Sequence, residues 1–176
     1  KSHPMDVART AVSVMALEDK ETSDNSPEAN MRKAMRIFAK IPTVLGAFYR
    51  IRKGKKILKP KKNLEFSENI FYLFFGKIPQ KKIVKAFDVS LILYAEHGFN
   101  VSTFTARTIT SSLSDMHGAV TGAIASLKGP LHGGANEKVM ELMNKIKTPN
   151  KAKNWINNAI NKKEVVMGFG HRVYKS

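Results

Sequence analysis

Three histidines of this chain stand against glycine where an apolar periodicity stops or starts: His97 in AEHGFN, His132 in GPLHGGAN and His171 in GFGHRVY. A glycine lets backbone approach a ligand with no Cβ in the way. Imidazole donates a hydrogen bond when neutral and moves protons near neutral pH. Histidines so placed suit a cleft in which a substrate oxygen is held and a proton is transferred. They also suit a plainer reading, as three unrelated surface or capping groups. His132 is the most constrained of them, set between Gly129-Pro130 and Gly133-Gly134. Glu96 and Glu137 each lie beside one of these stretches and offer a base, or simply an exposed or helix-capping carboxylate. His117, in DMHGAV, reads as structural, and His3, ahead of Pro4, as a cap or supporting group.

Other chemistries lack their residues. There is no cysteine, no HExxH and no H-x-x-x-H, so no metal site is expected. Neither GxxxxGK[ST] nor GxSxG occurs, which removes the P-loop and the nucleophile elbow. Gly168-Phe169-Gly170 lacks the third glycine of a dinucleotide fingerprint and opens no strand-loop-helix unit. It remains an exposed backbone patch able to hydrogen-bond an adenine or a phosphate.

The elements that must carry these residues read as helices, so the fold class is all-α. SHPMDVARTAVSVMAL starts with Ser2 or His3 at the cap, Pro4 in the first turn and Asp6 at the positive end of the dipole. A polar turn-rich stretch leads to Ser26-Pro27-Glu28, a second helix start. Met31, Met35, Phe38, Leu45 and Phe48 continue one apolar face, with a kink predicted at Pro42 and an end near Lys53-Gly54. LEFSENIFYLFFGK forms a short apolar helix stopped by Gly76. Pro79 opens the next, with Ile83, Phe87, Leu91 and Tyr94 on one face. The Ser/Thr/Ala/Gly-rich segment 100–129 predicts two tightly packed buried helices broken near Ser114-Asp115. Val139, Leu142, Met143 and Ile146 mark one further helix, and Thr148-Pro149 starts another carrying Trp155, Ile156 and Ile160. EVVMGFGHRVYKS reads as loop or short extended chain, and the Gly133-Gly134 pair as a domain boundary.

Thirty Lys+Arg against fourteen Asp+Glu give a net charge of +16, which favours anionic partners. Arg50 to Lys62 alone holds eight basic residues, without the interleaved aromatics that stack on bases, and reads as a solvated basic loop. The longest apolar run, Ile70 to Phe75, is far short of the roughly 20 residues a membrane span requires. No basic and apolar leader pattern follows Lys1, and the expected location is cytoplasmic.

HPMDVARTAVS, LYAEHGFNVSTFTAR, LSDMHGAVTGAI, LKGPLHGGANE and GFGHRVYK, taken together and in order, resemble citrate synthase of the type common in bacteria and archaea, and the closely similar 2-methylcitrate synthase. The resemblance covers nearly the whole chain. It implies an all-helical homodimer whose subunits have a large and a small domain closing over a cleft. Residues 1–133 would belong to the large domain and 134–176 to the small one. The implied reaction condenses acetyl-CoA with oxaloacetate to citrate and CoA, or uses propionyl-CoA in the 2-methylcitrate version. By motif, His132 matches the donor to the thioester carbonyl, and His171 the group that polarises the oxaloacetate carbonyl. His97 and Asn100 match substrate-binding positions, and Val166, Met167, Gly168, Phe169 and Gly170 the backbone that holds the adenine end of CoA. No cofactor beyond acetyl-CoA as substrate is implied, and neither nucleic acid nor membrane is an expected partner. The family's proton-abstracting aspartate and carboxylate-clamping arginines follow GHRVYK, so the resemblance implies a central fragment that is inactive alone. The reading from another class is a basic helical nucleic-acid-binding module, whose affinity would fall steeply with salt.

Overall fold

A computed structural model describes residues 2–95 and 98–169, and all the regular structure among them is α-helical. The helices are α1 (Pro4–Glu18), α2 (Pro27–Arg52), α3 (Phe66–Phe75), α4 (Lys81–Tyr94), α5 (Val101–Thr110), α6 (Met116–Leu127), α7 (Gly134–Ile146) and α8 (Pro149–Asn161). The chain divides into two compact units, Lys1–Ser126 and Leu127–Ser176.

In the first unit the helix starts follow the capping chemistry. The His3 imidazole accepts from the Met5 amide at 3.2 Å, so His3 is a cap. Ser26 accepts from Ala29, and Pro27 occupies the first turn of α2. Pro42 lies inside α2 without ending it. Glu65 and Glu68 form a reciprocal capping box at the start of α3, and Gly76, in the left-handed region at φ 77°, ends it. α4 begins at Lys81, two residues beyond the proline expected to open it, with Gln80 as its cap.

The core differs from the one that periodicity predicts. Met31, Met35 and Phe38 of α2 are exposed, and the buried positions of this helix are Ala29, Lys33, Ile37, Gly46 and Arg50. Small residues decide the packing. A Cβ on Gly46 would stand 3.0 Å from the Leu73 Cβ, so α3 crosses α2 where α2 has no side chain. Phe38 instead stacks on Phe66 with ring centroids 4.6 Å apart. The apolar centre of the unit is Ala8 and Val12 of α1, Ile37 of α2 and Ile124 of α6. Similarly, α5 has no fully buried residue, although it was expected to be buried. Its close approach to α6 is real nonetheless, since a Cβ on Gly122 would collide with the Ile109 side chain. α4 has no buried residue either, and Ile83 and Tyr94 are exposed. It is tied to α3 by Phe87 against Phe71 and by the Ser67 hydroxyl, which donates to Asp88 at 2.8 Å.

Several buried polar groups inside this unit partner one another, while His117 Nδ1 and Thr121 Oγ1 are buried without a hydrogen bond. Lys33, with no exposed surface, donates to the carbonyls of Thr22 and Asp24. Asp19 accepts from Arg36 at 2.8 and 2.9 Å and from the Glu21 amide at 3.0 Å. His117, 1 % exposed, lies with Nε2 3.5 Å from Asp19 and Nδ1 3.7 Å from Asp115, consistent with its structural reading. Burial opposes charge on Asp19, but the Glu21 amide and the Arg36 guanidinium outweigh it and hold the carboxyl below its ordinary 3.8. Burial dominates at His117 and pushes its imidazole below 6.5, against the pull of Asp19 and Asp115.

In the second unit α7 packs against α8, closed by the turn 166–169. Thr148 caps α8 and Pro149 occupies its first turn, as the sequence predicts.

Candidate functional site

His132 lies in the tight turn between α6 and α7. Its amide donates to the Gly129 carbonyl at 3.0 Å, and the Gly134 amide donates to the same oxygen at 3.1 Å. Pro130 and Leu131 are looped out by these two bonds, and Leu131 is 97 % exposed. The His132 carbonyl then accepts from Ala135 and the Gly133 carbonyl from Asn136, so the turn passes directly into the first turn of α7. The histidine is half-buried.

The two glycines after it are needed for space rather than for a left-handed backbone. Gly133 has φ −65° and ψ −21°, ordinary helical values. A Cβ there would strike the Leu127 carbonyl oxygen and stand 2.9 Å from Leu127 Cδ1, while one on Gly134 would be 3.0 Å from the Gly129 oxygen. The last residue of α6 is thus pressed against the residue following His132. The contact between Leu127 and Gly133 was not legible in the sequence, because a leucine at a helix end carries no distinctive signal. The positive end of the α7 dipole lies beneath the histidine, where negative charge on a bound oxygen is favoured.

The 166–169 turn stands further along the same helix. Gly168 has φ +94°, which glycine alone adopts without strain, and a Cβ on it would be 3.1 Å from Val139 Cγ2. Val139 follows the α7 cap by six residues, about 9 Å of helix rise. Between α7, α8 and this turn lies a cavity of about 470 Å³, walled by Leu142, Met143, Trp155, Ile156 and Met167 among others. Phe169 lines it while remaining 77 % exposed. Trp155, expected only as part of a helix's apolar face, is a wall of this cavity beside the turn.

Asn100, in the first unit, is the N-cap of α5. Its side-chain oxygen accepts from the Thr103 amide at 2.8 Å and the Ser102 hydroxyl at 2.7 Å. Glu137 lies in the first turn of α7, where a carboxylate complements the dipole. Glu96, His97, Gly170 and His171 lie outside the described residues. Among the described residues no group of three or more His, Asp or Glu is placed to hold a metal ion, and no helix is long and apolar enough to cross a membrane.

The family model described as citrate synthase, C-terminal domain, matches residues 1–176. The chain is 48 % identical to a citrate synthase of Mycolicibacterium smegmatis, over 99 % of this chain and 46 % of that protein. It is 49 % identical to a 2-methylcitrate synthase of Mycobacterium tuberculosis, over 98 % of this chain and 44 % of that protein. Among solved structures, citrate synthase from Thermoplasma acidophilum, in a ternary complex with carboxymethyl coenzyme A and oxaloacetate, aligns with a TM-score of 0.80 at 33 % identity, covering 99 % of this chain and 46 % of that one. The chain spans about half the length of the curated relatives it matches.

Proposed function

The chain belongs to the citrate synthase family, and from that membership we propose that the whole protein condenses acetyl-CoA with oxaloacetate to give citrate and CoA. In this reading a base removes a methyl proton of the acetyl thioester, and the enol carbon forms a bond to the oxaloacetate carbonyl carbon. Water then cleaves the C–S bond of the citryl thioester, releasing CoA. His132 donates to the thioester oxygen while negative charge develops there, a prepositioned donor of the kind that lowers the barrier most. The observation that carries the reading is the His132 turn, locked at both ends on the Gly129 carbonyl and seated on the start of α7.

His171 polarises the oxaloacetate carbonyl and supplies the proton to the new alkoxide, and His97 with Asn100 binds the substrate. The capping role of Asn100 leaves its backbone position rigid at the start of α5. Val166 to Gly170 receives the adenine end of CoA, and the positive φ of Gly168 supports that role by presenting backbone rather than side chain. Residues 1–133 form part of a large domain and 134–176 part of a small one, in a homodimeric cytoplasmic enzyme that needs no cofactor. The resemblance puts the carboxylate base and the clamp arginines after the GHRVYK motif, so citrate formation is assigned to the whole protein.

The alternative acyl donor has its own support, since the relatives named citrate synthase and 2-methylcitrate synthase match at 48 % and 49 %. The test is thiol release by the complete protein with oxaloacetate and either acetyl-CoA or propionyl-CoA. The expected result is a higher kcat/KM with acetyl-CoA and a loss of about 100- to 1,000-fold in kcat for His132→Ala. A preference for propionyl-CoA moves the protein to the 2-methylcitrate reaction. Full activity of His132→Ala overturns the role of the turn.

A further inference from the structure

Residues 31–64 contain twelve lysines and arginines and no aspartate or glutamate. The second half of this segment leaves α2 at Arg52 and runs as an exposed strap to Lys62. The strap is pinned in place. The buried guanidinium of Arg50 donates to the Lys56 carbonyl through Nε and to the Phe74 carbonyl at 3.3 Å, and the Lys55 amide donates back to the Arg50 carbonyl at 2.8 Å. At the far end the Asn69 side chain bonds both the amide and the carbonyl of Lys61, each at 2.9 Å. A solvated loop requires none of these bonds. Their effect is to hold Lys53, Lys55, Lys56, Lys59, Lys61 and Lys62 on one fixed piece of backbone.

Beside the strap, within the same unit, is a recess of about 560 Å³ whose walls are Pro4, Leu45, Phe48, Tyr49 and Phe74, with Arg52 and Lys53 on its lining. Ile51 and Ile57 stand exposed among the cations. The charges mark the partner as anionic. They are spread over more positions than one small anion can touch. Nucleic acid is disfavoured, because the strap from Lys53 to Lys62 carries no aromatic residue on which bases could stack. The recess is concave and mostly apolar-walled, a shape that receives a single side chain.

We propose that the pinned lysine strap at the end of α2, together with the Phe48–Tyr49–Phe74 recess, is a docking surface for an acidic polypeptide segment of a partner protein, with one aromatic or large aliphatic side chain seated in the recess. This surface is independent of the condensation reading and of the His132 turn.

The test is fluorescence anisotropy of labelled synthetic peptides with the complete protein that contains this chain. One peptide is an acidic run with a central phenylalanine, and the second has alanine in its place at equal charge. The phenylalanine peptide is expected to bind about tenfold more tightly than the alanine one, an anchor effect worth about 1.4 kcal/mol. Lys55→Glu with Lys56→Glu is expected to weaken both peptides, and Phe48→Ala only the phenylalanine one. Lys151→Glu with Lys153→Glu, on α8 in the second unit, removes the same charge and is expected to change neither. Thermal melts confirm that each variant is folded. The proposal is overturned by equal affinity for the two peptides, by equal weakening in the α8 control, or by tighter binding of an oligonucleotide or of anionic phospholipid vesicles.

Discussion

Replacing Lys33 by methionine tests whether a buried cation stabilises the first unit. The ammonium is fully buried, with Nζ 2.5 Å from the Asp24 carbonyl and 3.3 Å from that of Thr22. A hydrogen bond from a charged group contributes a net 1.5–3 kcal/mol or so, and the longer bond belongs at the low end, so the two together contribute about 4 kcal/mol. Methionine retains an unbranched stem of similar reach and regains about 1 kcal/mol through apolar burial. Lys33→Met is therefore expected to lose about 3 kcal/mol, because the loop 19–25 loses the donor that gathers two of its carbonyls. In a unit of this size that lowers the melting temperature by about 10 °C. Urea unfolding followed by far-UV circular dichroism measures it, with an unchanged m-value showing that stability alone has moved. An unchanged or raised midpoint would refute the reasoning. It would mean that removing the ammonium from water costs more than its carbonyl bonds return, as happens for some buried ion pairs.

Acid should weaken the same unit in two steps. Folded His117 takes up a proton less readily than the unfolded chain at 6.5, so its contribution is intact above 6.5 and is lost as pH falls below that value; melts from pH 7.5 to 5.5 should decline, and His117→Phe should flatten the decline. Asp19, held below 3.8, adds stability that is intact above 3.8 and disappears as pH falls through its folded value, so Asp19→Asn should reduce the further loss under stronger acid. Gly133→Ala forces a Cβ onto the Leu127 carbonyl and should cost about 1–3 kcal/mol by overpacking, while the amide resonances of residues 131–136 shift; an unchanged spectrum and stability would show that the turn is slack. Gly168→Ala places a Cβ at φ +94° against Val139 and should alter the fluorescence of Trp155 across the shared cavity, an effect absent for Ala152→Gly if backbone strain is the cause.

Most element boundaries were legible because they depend on chemistry within a few residues. Pro4, Ser26-Pro27, Gly76 and Thr148-Pro149 act on the backbone bonds of their own turns, and the helices start or stop at those signals. The start of α4 was misplaced because Pro79 fixes only its own φ and allows the chain two further residues before Gln80 caps the helix. The motif run carried the family reading for a similar reason, since identity and order along the chain require no knowledge of contacts.

The sequence by itself therefore determined the all-helical class, the local signals that start and stop the helices, and the family to which the motifs point. Tertiary structure decided which faces of those helices are inside. Hydrophobic periodicity on α2 favoured Met31, Met35 and Phe38, yet the buried face holds Lys33, Gly46 and Arg50. Close approach at Gly46 and carbonyl partners for the two cations lie on other segments, at Leu73, Thr22, Asp24, Lys56 and Phe74, and no local pattern announces them. The glycine after His132 likewise looked like a source of freedom. Its contact with Leu127 makes it a site of contact too close for any side chain, a distinction set by where a second segment lies in space.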